Sequence, residues 1–375
     1  MTSRKKSRAI CAVAVLVLGA GTAAVAQVPP DGAADADAAI VADADDLADV
    51  GKVGKLHDEL RRAQQRESLY RRISGVYTDY AKWKARVEAE HDLTFAVESS
   101  LLQQWGVPNG GSPALQVYVT PSFDWTLFRS ATWGTGSLQF EYDATPHYPT
   151  RQDAADVQNK LGLVTPINDV ARRSFTFAQL TYTHAGPGNT WLVTAGQYPL
   201  WNFDGNAFLG NQQQNFNNYI LSQNGSSTYR SAGWGAYAQY NASASLQLAG
   251  GVQATNNLSG ETLTTRGAAD YCCTWFGYAQ WTPTFGGVGA AQYSLSYFDT
   301  PGVPAQPASR NWSVNAVQHL PGRWAMFGRA NGAQGYTSAI RASYAVGVAR
   351  DDPLARAPPD QIALAVGYSD TAPPP

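Results

Sequence analysis

From about residue 92 to residue 368 the chain alternates with a period of two. Leu93, Phe95 and Val97 are separated by Thr94, Ala96 and Glu98; Leu138, Phe140 and Tyr142 by Gln139 and Glu141. Trp234 and Tyr240 share a face with Ala236 and Ala238, and Leu246, Leu248 and Val252 follow. Ala291, Tyr293, Leu295 and Tyr297 alternate with Gln292, Ser294 and Ser296, and Trp312, Val314 and Ala316 with Ser313 and Asn315. The series closes with Ile340 to Val348 and Ile362 to Tyr368. Successive side chains of a strand point to opposite faces, so this pattern predicts about fourteen strands. Asn241-Ala242-Ser243 and Pro321-Gly322 predict tight turns, and the polar stretches 143–172, 199–230, 255–270 and 299–309 predict loops.

The second face of these strands sets the class. A soluble sandwich turns one face to its core and carries Lys and Glu on the other. Here the second face is Gln, Ser, Asn, Thr, Ala and Gly with an occasional Arg, and Lys160 is the only lysine after residue 90. Apolar residues alternating with small uncharged polar ones suit a barrel with lipid outside and a wet lumen inside. Trp105, Trp191, Trp275, Trp281 and Tyr368 fall near strand ends, where interfacial aromatic girdles lie. The expectation is an all-β, antiparallel transmembrane outer-membrane barrel of about 14–16 strands, preceded by a short helical segment. A secreted sandwich or propeller is the rival.

Such a barrel must be exported. Arg4, Lys5, Lys6 and Arg8 precede an apolar or small run from Ala9 to Ala26, and Ala24-Val25-Ala26 supplies a small-x-small cleavage pattern. Residues 1–26 therefore read as a signal peptide; a spanning anchor would be longer and more apolar. Residues 27–51 form an acidic, Ala/Asp/Pro-rich flexible leader, with seven Asp from Asp31 to Asp49. In 52–90 the period becomes helical: Leu69, Ile73, Val76, Tyr80, Trp83 and Val87 keep the 4–3 spacing of a coiled-coil seam among ten Lys and Arg. Gly75 interrupts it, so an oligomerising coiled coil and a helix against the chain's own barrel are both open. The barrel domain is assigned to 91–370, with a Pro-rich end at 371–375.

Composition narrows the function. Charged residues are 15% of the chain, against about 25% in ordinary soluble proteins. The net charge of −2 argues against a nucleic-acid partner. His57, His91, His147, His184 and His319 form no HxxxH or HExxH pair, no GxSxG elbow occurs, and the glycines at 286, 287 and 289 do not open a helix. No enzyme, cofactor or metal is expected. Adjacent Cys272 and Cys273 read as two small residues at a strand start, with a vicinal or inter-protomer disulfide as the alternative. Asn-x-Ser sequences beginning at Asn224, Asn241, Asn257 and Asn311 read as turn chemistry.

Three sets of stretches stand in order along the chain: Tyr80-Ala81-Lys82-Trp83-Lys84 with Glu88 and Leu93-Thr94-Phe95; Phe177 to Tyr182 followed by Gly196-Gln197-Tyr198-Pro199-Leu200, with Asp204 and Phe208 beyond; and Asp352-Pro353-Leu354 with Asp360 to Val366. Together they resemble the carbohydrate-selective porin family of Gram-negative outer membranes, the OprB type. The resemblance covers roughly residues 77–370. It implies a sixteen-stranded barrel with an inward loop that narrows the pore, and passive diffusion of sugars. It also implies a further hairpin after the Asp-Gln strand, whereas this chain stops at Thr371 to Pro375. A truncated sixteen-strand barrel and a native fourteen-strand one are both open.

The candidate chemistry is that of a pore, where lumen charges set selectivity. Strand parity places Glu98, Asp124, Glu141, Arg323, Arg329 and Arg341 inward, with Trp324 and Met326 toward lipid. In the 199–230 loop, Trp201 and Phe203 are candidates to stack on a pyranose, and Gln197, Asn202, Asp204 and Asn206 to hydrogen-bond its hydroxyls. Between 91 and 375 the thirteen basic and sixteen acidic residues make no basic ladder, which disfavours anions such as siderophores or organic acids. The expected partners are diffusing sugars, outer-membrane lipid and a homotrimer; a barrel-anchored structural protein is the rival of a different class.

Overall fold

A period of two over long stretches leaves the backbone one way to satisfy its polar groups in lipid, a continuous ladder of neighbouring strands. The computed structural model has that ladder. It describes residues 77–107, 111–146, 152–163, 167–168, 175–210, 215–227, 232–255, 263, 273–303, 307–335, 340–351 and 361–371. The signal, the acidic leader, most of the 52–90 segment, Asn257 and Cys272 lie outside them.

Helix α1 (Tyr77–His91) leads into β1 (Leu93–Gln104), and β2 (Ala114–Ser130) and β3 (Gly134–Ala144) follow. The short helix α2 (Ala154–Lys160) lies in the link to β4 (Phe175–Ala185), which pairs with β5 (Trp191–Tyr198). After a long segment containing α3 (Tyr219–Ser222) come β6 (Gly233–Ser243), β7 (Leu246–Gln253) and β8 (Thr274–Trp281). Next are the two-residue β9 (Thr284–Phe285), then β10 (Gly289–Thr300), β11 (Ser309–Leu320), β12 (Trp324–Gly335), β13 (Ile340–Asp351) and β14 (Gln361–Thr371). All strands except β9 lie side by side in sequence order, antiparallel throughout; β9 pairs only with β10. Among the described residues β1 and β14 each pair on one side.

Burial is inverted relative to a soluble protein. In β11, Ser309, Asn311, Ser313 and Asn315 are buried, while Trp312 and Val314 between them are exposed. Gln139, Thr181, Thr194 and Asn331 are buried in the same way, whereas Leu101 (67% exposed), Trp275 (65%) and Val346 (60%) face out. That is the outer-membrane β-barrel type of surface. Trp105, Trp191, Trp281 and Tyr368 are all exposed on it. Outward rings pack across strands: Phe123 stacks on Phe140 at 5.1 Å, and Phe140 meets Phe177 edge-on at 5.5 Å.

The links follow from local chemistry. Gly322 and Arg323 both take positive φ (77° and 63°) in the tight turn that pairs Leu320 with Trp324. This corrects the inward assignment of Arg323: it is a turn residue at the short-turn end, and its carbonyl accepts from the Asp351 N–H at 2.9 Å. Asn241 to Ser243 belong to β6, so the turn comes at 244–245. Cys273 is disulfide-bonded, which overturns the reading of the cysteine pair as two plain small residues. Gly134, at φ 88°, opens β3 where an added Cβ would stand 1.9 Å from the Ala185 carbonyl oxygen. Gly134→Ala should cost at least about 1–3 kcal/mol through strain and collision. A lowered urea midpoint for loss of the heat-modifiable folded band would register it.

Candidate functional site

The described residues between β5 and β6, 199–210 and 215–227, do not leave the barrel; they fold back across its interior. Tyr198 starts the entry: it is buried, its hydroxyl donates to the Val252 carbonyl at 2.7 Å, and its carbonyl accepts from the Gln253 amide. A single 3-10 turn, Leu200–Phe203, then drives Phe203 into a cage of Phe276 (4.4 Å), Tyr237 (4.9 Å) and Tyr278 (5.7 Å) on the inner wall. Burial of such a ring stabilises by about 1.5–3 kcal/mol.

Polar anchors follow. The Asp204 carboxylate accepts from the Ser313 hydroxyl at 2.6 Å and from the Asn315 amide at 3.5 Å. Arg329 Nε donates to Asn315 Oδ1 at 2.9 Å, and a terminal guanidinium nitrogen donates to the Leu209 carbonyl. The Asn206 amide oxygen caps the N–H groups of Phe208 and Leu209, both at 2.9 Å. Further on, Phe208 stacks on Phe327 of β12 at 4.9 Å, and Ile220 and Leu221 of α3 pack with Ile340, Ala345 and Ala365 of β13 and β14. The Asn224 amide donates to Asn311 Oδ1 at 3.0 Å, and Asn311 donates to the Ser226 carbonyl at 2.9 Å.

The loop thus covers the inner wall from β5 to β14. The inner face of β1–β4 stands opposite, touched where the Asn202 amide donates to Gln179 Oε1 at 3.1 Å. An inward loop that narrows a β-barrel is the architecture of a diffusion pore. No family model matches the chain. Porin AaxA of Chlamydia abortus (strain DSM 27085 / S26/3) is 34% identical over 296 residues, covering 76% of this chain and 65% of that protein. Porin AaxA of Chlamydia pneumoniae is 32% identical over 320 residues, covering 80% of this chain and 72% of the relative. OprB of Pseudomonas putida, in its high-pH structure, shares the fold at a TM-score of 0.60 and 12% identity over 78% of each chain.

The chain belongs to the OprB-type porin family. The chain spans 65% of the length of the first of these relatives, less than two thirds. It is an outer-membrane protein.

Glu98, Asp124 and Glu141 of the porin lie on the inward alternation of β1, β2 and β3. The register spreads them along one wall: Glu98 is opposite Thr120, Glu141 opposite Ser122, and Asp124 opposite Thr94 and Gln139. Gln139 donates to Asp124 Oδ2 at 3.1 Å. Asp143, passed over in the sequence, joins this wall: its carboxylate accepts from Thr120 Oγ1 at 2.9 Å. The parity that placed Glu141 inward carried the same signal two residues on.

Trp201 sits half-buried in the 3-10 turn. Asp204 and Arg329 are both buried, at 7% and 4% exposure, so they hold the loop rather than line open water. Three placements differ from the sequence reading. Gln197 is fully buried and donates to the Phe177 carbonyl at 2.6 Å, inside the wall. Phe203 spends its faces on the aromatic cage. Arg341 is exposed as the extra residue where β13 shifts register between Ile340 and Ala342, because the bulge breaks the parity used to place it. Asn311, read as turn chemistry, is a buried strand residue gripping the loop; Asn224 does cap a turn, accepting from the Ser226 N–H at 3.1 Å.

Arg329→Met removes a charged donor from Leu209 and Asn315 and should weaken the loop's anchorage by about 1.5–3 kcal/mol. Single-channel recordings should then show larger or noisier conductance, with unchanged folded-band mobility.

Proposed function

We propose that this porin passes small polar solutes, carbohydrates above all, by passive diffusion between the inward loop and the β1–β4 wall. The observation that carries the reading is the one-sided seat of the loop: anchored on β5–β14, it leaves the polar inner face of β1–β4 opposite. On their inward alternation β1 and β2 present half-buried Ser100, Thr120 and Ser122. The loop side offers Trp201, Asn202 and the Asn-rich stretch around Asn215 and Asn218. An aromatic edge among amides suits a pyranose, which has an apolar face and a rim of hydroxyls. The family's fold supports passage; the choice of solute rests on this lining.

A second reading has its own observation. Glu98, Asp124, Glu141 and Asp143 all lie on the inward alternation of β1–β3, while Arg329 is held beneath the loop. A carboxylate-lined wall raises the local concentration of cations and excludes anions. Neutral and cationic solutes are therefore favoured over organic acids.

Two experiments test this. In liposome-swelling assays, Trp201→Ala should slow maltodextrin uptake more than that of glucose, since the longer sugar depends more on stacking; equal rates for wild type and variant would remove Trp201 from the path. In planar bilayers under a salt gradient, Glu98→Gln with Asp124→Asn and Glu141→Gln should reduce the cation-to-anion permeability ratio. Each charge removed should contribute roughly two- to fivefold, the equivalent of about 0.5–1 kcal/mol per charge in a wet pore.

A further inference from the structure

We infer that α1 is a membrane-interface helix: it lies along the phospholipid headgroups of the periplasmic leaflet with its Tyr80–Trp83 edge in lipid. The short turns 131–133, 186–190, 244–245 and 321–323 share one end of the barrel, and in this architecture short turns are periplasmic. α1 is fixed at that end. Asp92 closes the helix at φ 52°, its N–H donating to the Glu88 carbonyl at 2.9 Å, and its carboxylate pairs with Arg129 at the foot of β2. Trp125 Nε1 donates to the His91 carbonyl at 3.0 Å.

The helix then turns its apolar edge to the outside of the barrel and not to the lumen. Trp83 meets Phe95 edge-on at 5.4 Å, and the Lys84 ammonium stands 5.0 Å over the same ring. Phe95 is on the outward alternation of β1, registered against Phe123, which stacks on Phe140. Tyr80 lies 5.8 Å from Trp83, and the two are 37% and 50% exposed. Their open surface is therefore continuous with the lipid-facing belt. Asp79, Lys82, Arg86 and Glu90 are exposed too; by the helix's step of roughly 100° per residue they flank Trp83 on the side away from Tyr80 and the buried Lys84.

Exposed aromatics beside the lipid belt, flanked by charged side chains, suit the headgroup level, where aromatic rings settle and long basic side chains reach to water. The charge of the preceding sequence fits anionic headgroups, since residues 52–76 carry seven Lys and Arg against three Asp and Glu. A second copy zipped along the seam would have to reach Trp83 from within the lipid belt. In contrast, lipid reaches it directly.

The test uses full-length mature protein labelled with 5-fluorotryptophan in phosphatidylethanolamine–phosphatidylglycerol vesicles. The fluorine resonances of Trp83 and Trp191 are assigned with Trp83→Phe and Trp191→Phe, each checked for the folded heat-modifiable band. A phospholipid spin-labelled high on its acyl chain should broaden the Trp83 resonance to the same degree as that of Trp191, and severalfold more than an aqueous gadolinium chelate does. Broadening by gadolinium alone would place α1 in water and overturn the inference. Broadening by neither reagent would mean that protein covers Trp83, a second copy included, and would overturn it equally.

Discussion

Lipid offers no hydrogen bonds, and the rest of this structure follows from that lack. Backbone N–H and C=O groups within the bilayer need partners in a neighbouring strand, so the chain is committed to one antiparallel ladder running from β1 to β14. The ladder in turn fixes side-chain parity. With one face given to acyl chains, the other must take all the polarity. A single strand such as β11 therefore carries Trp312 and Val314 to lipid and Asn311, Ser313 and Asn315 inward. The inward amides and hydroxyls are then available to hold something, and what they hold is the chain's own loop.

The loop is fastened by two kinds of force on two sides. Toward β5–β8 it is pinned by packed rings, with Phe203 at the centre; toward β11–β12 by a chain of hydrogen bonds running from Asp204 through Asn315 to Arg329 and on to Leu209. Apolar packing is indifferent to small rotations, whereas the hydrogen bonds are directional. Together they set both the depth and the register of the loop. The same seat hides the guanidinium of Arg329 and leaves the carboxylates of β1–β3 across from it, so position and electrostatics are consequences of one anchorage.

Much of this was legible in the sequence, for a physical reason. Period-two patterning is imposed by lipid over whole strands, so the outward set and inward residues in regular strands, such as Glu98, Asp124, Glu141 and Arg329, can be read by counting. Counting fails where the ladder is irregular. The bulge beside Arg341 shifts its parity, and the left-handed turn removes Arg323 from the strand altogether. It also fails for contacts between segments far apart in the chain. Nothing local to Phe203 says that Phe276 and Tyr237 wait on the inner wall beneath it, and nothing local to Gln197 says that its amide is spent on Phe177. Asn311 misled because Asn-x-Ser is a turn signal by local propensity, while its tertiary partners Asn224 and Ser226 lie more than eighty residues away.

The inner faces of β13 and β14 are small where α3 presses on them: Ala345, Ala365 and Gly367, where even a methyl group would come within 2.5 Å of the Ile220 side chain. These residues act as a mould. The aperture of the channel is thus adjustable from behind, since a methyl group added to the far wall would push the loop toward the carboxylates without altering any residue a solute touches. Relatives with identical linings can differ in exclusion limit, and bore and lining chemistry can diverge on separate evolutionary clocks.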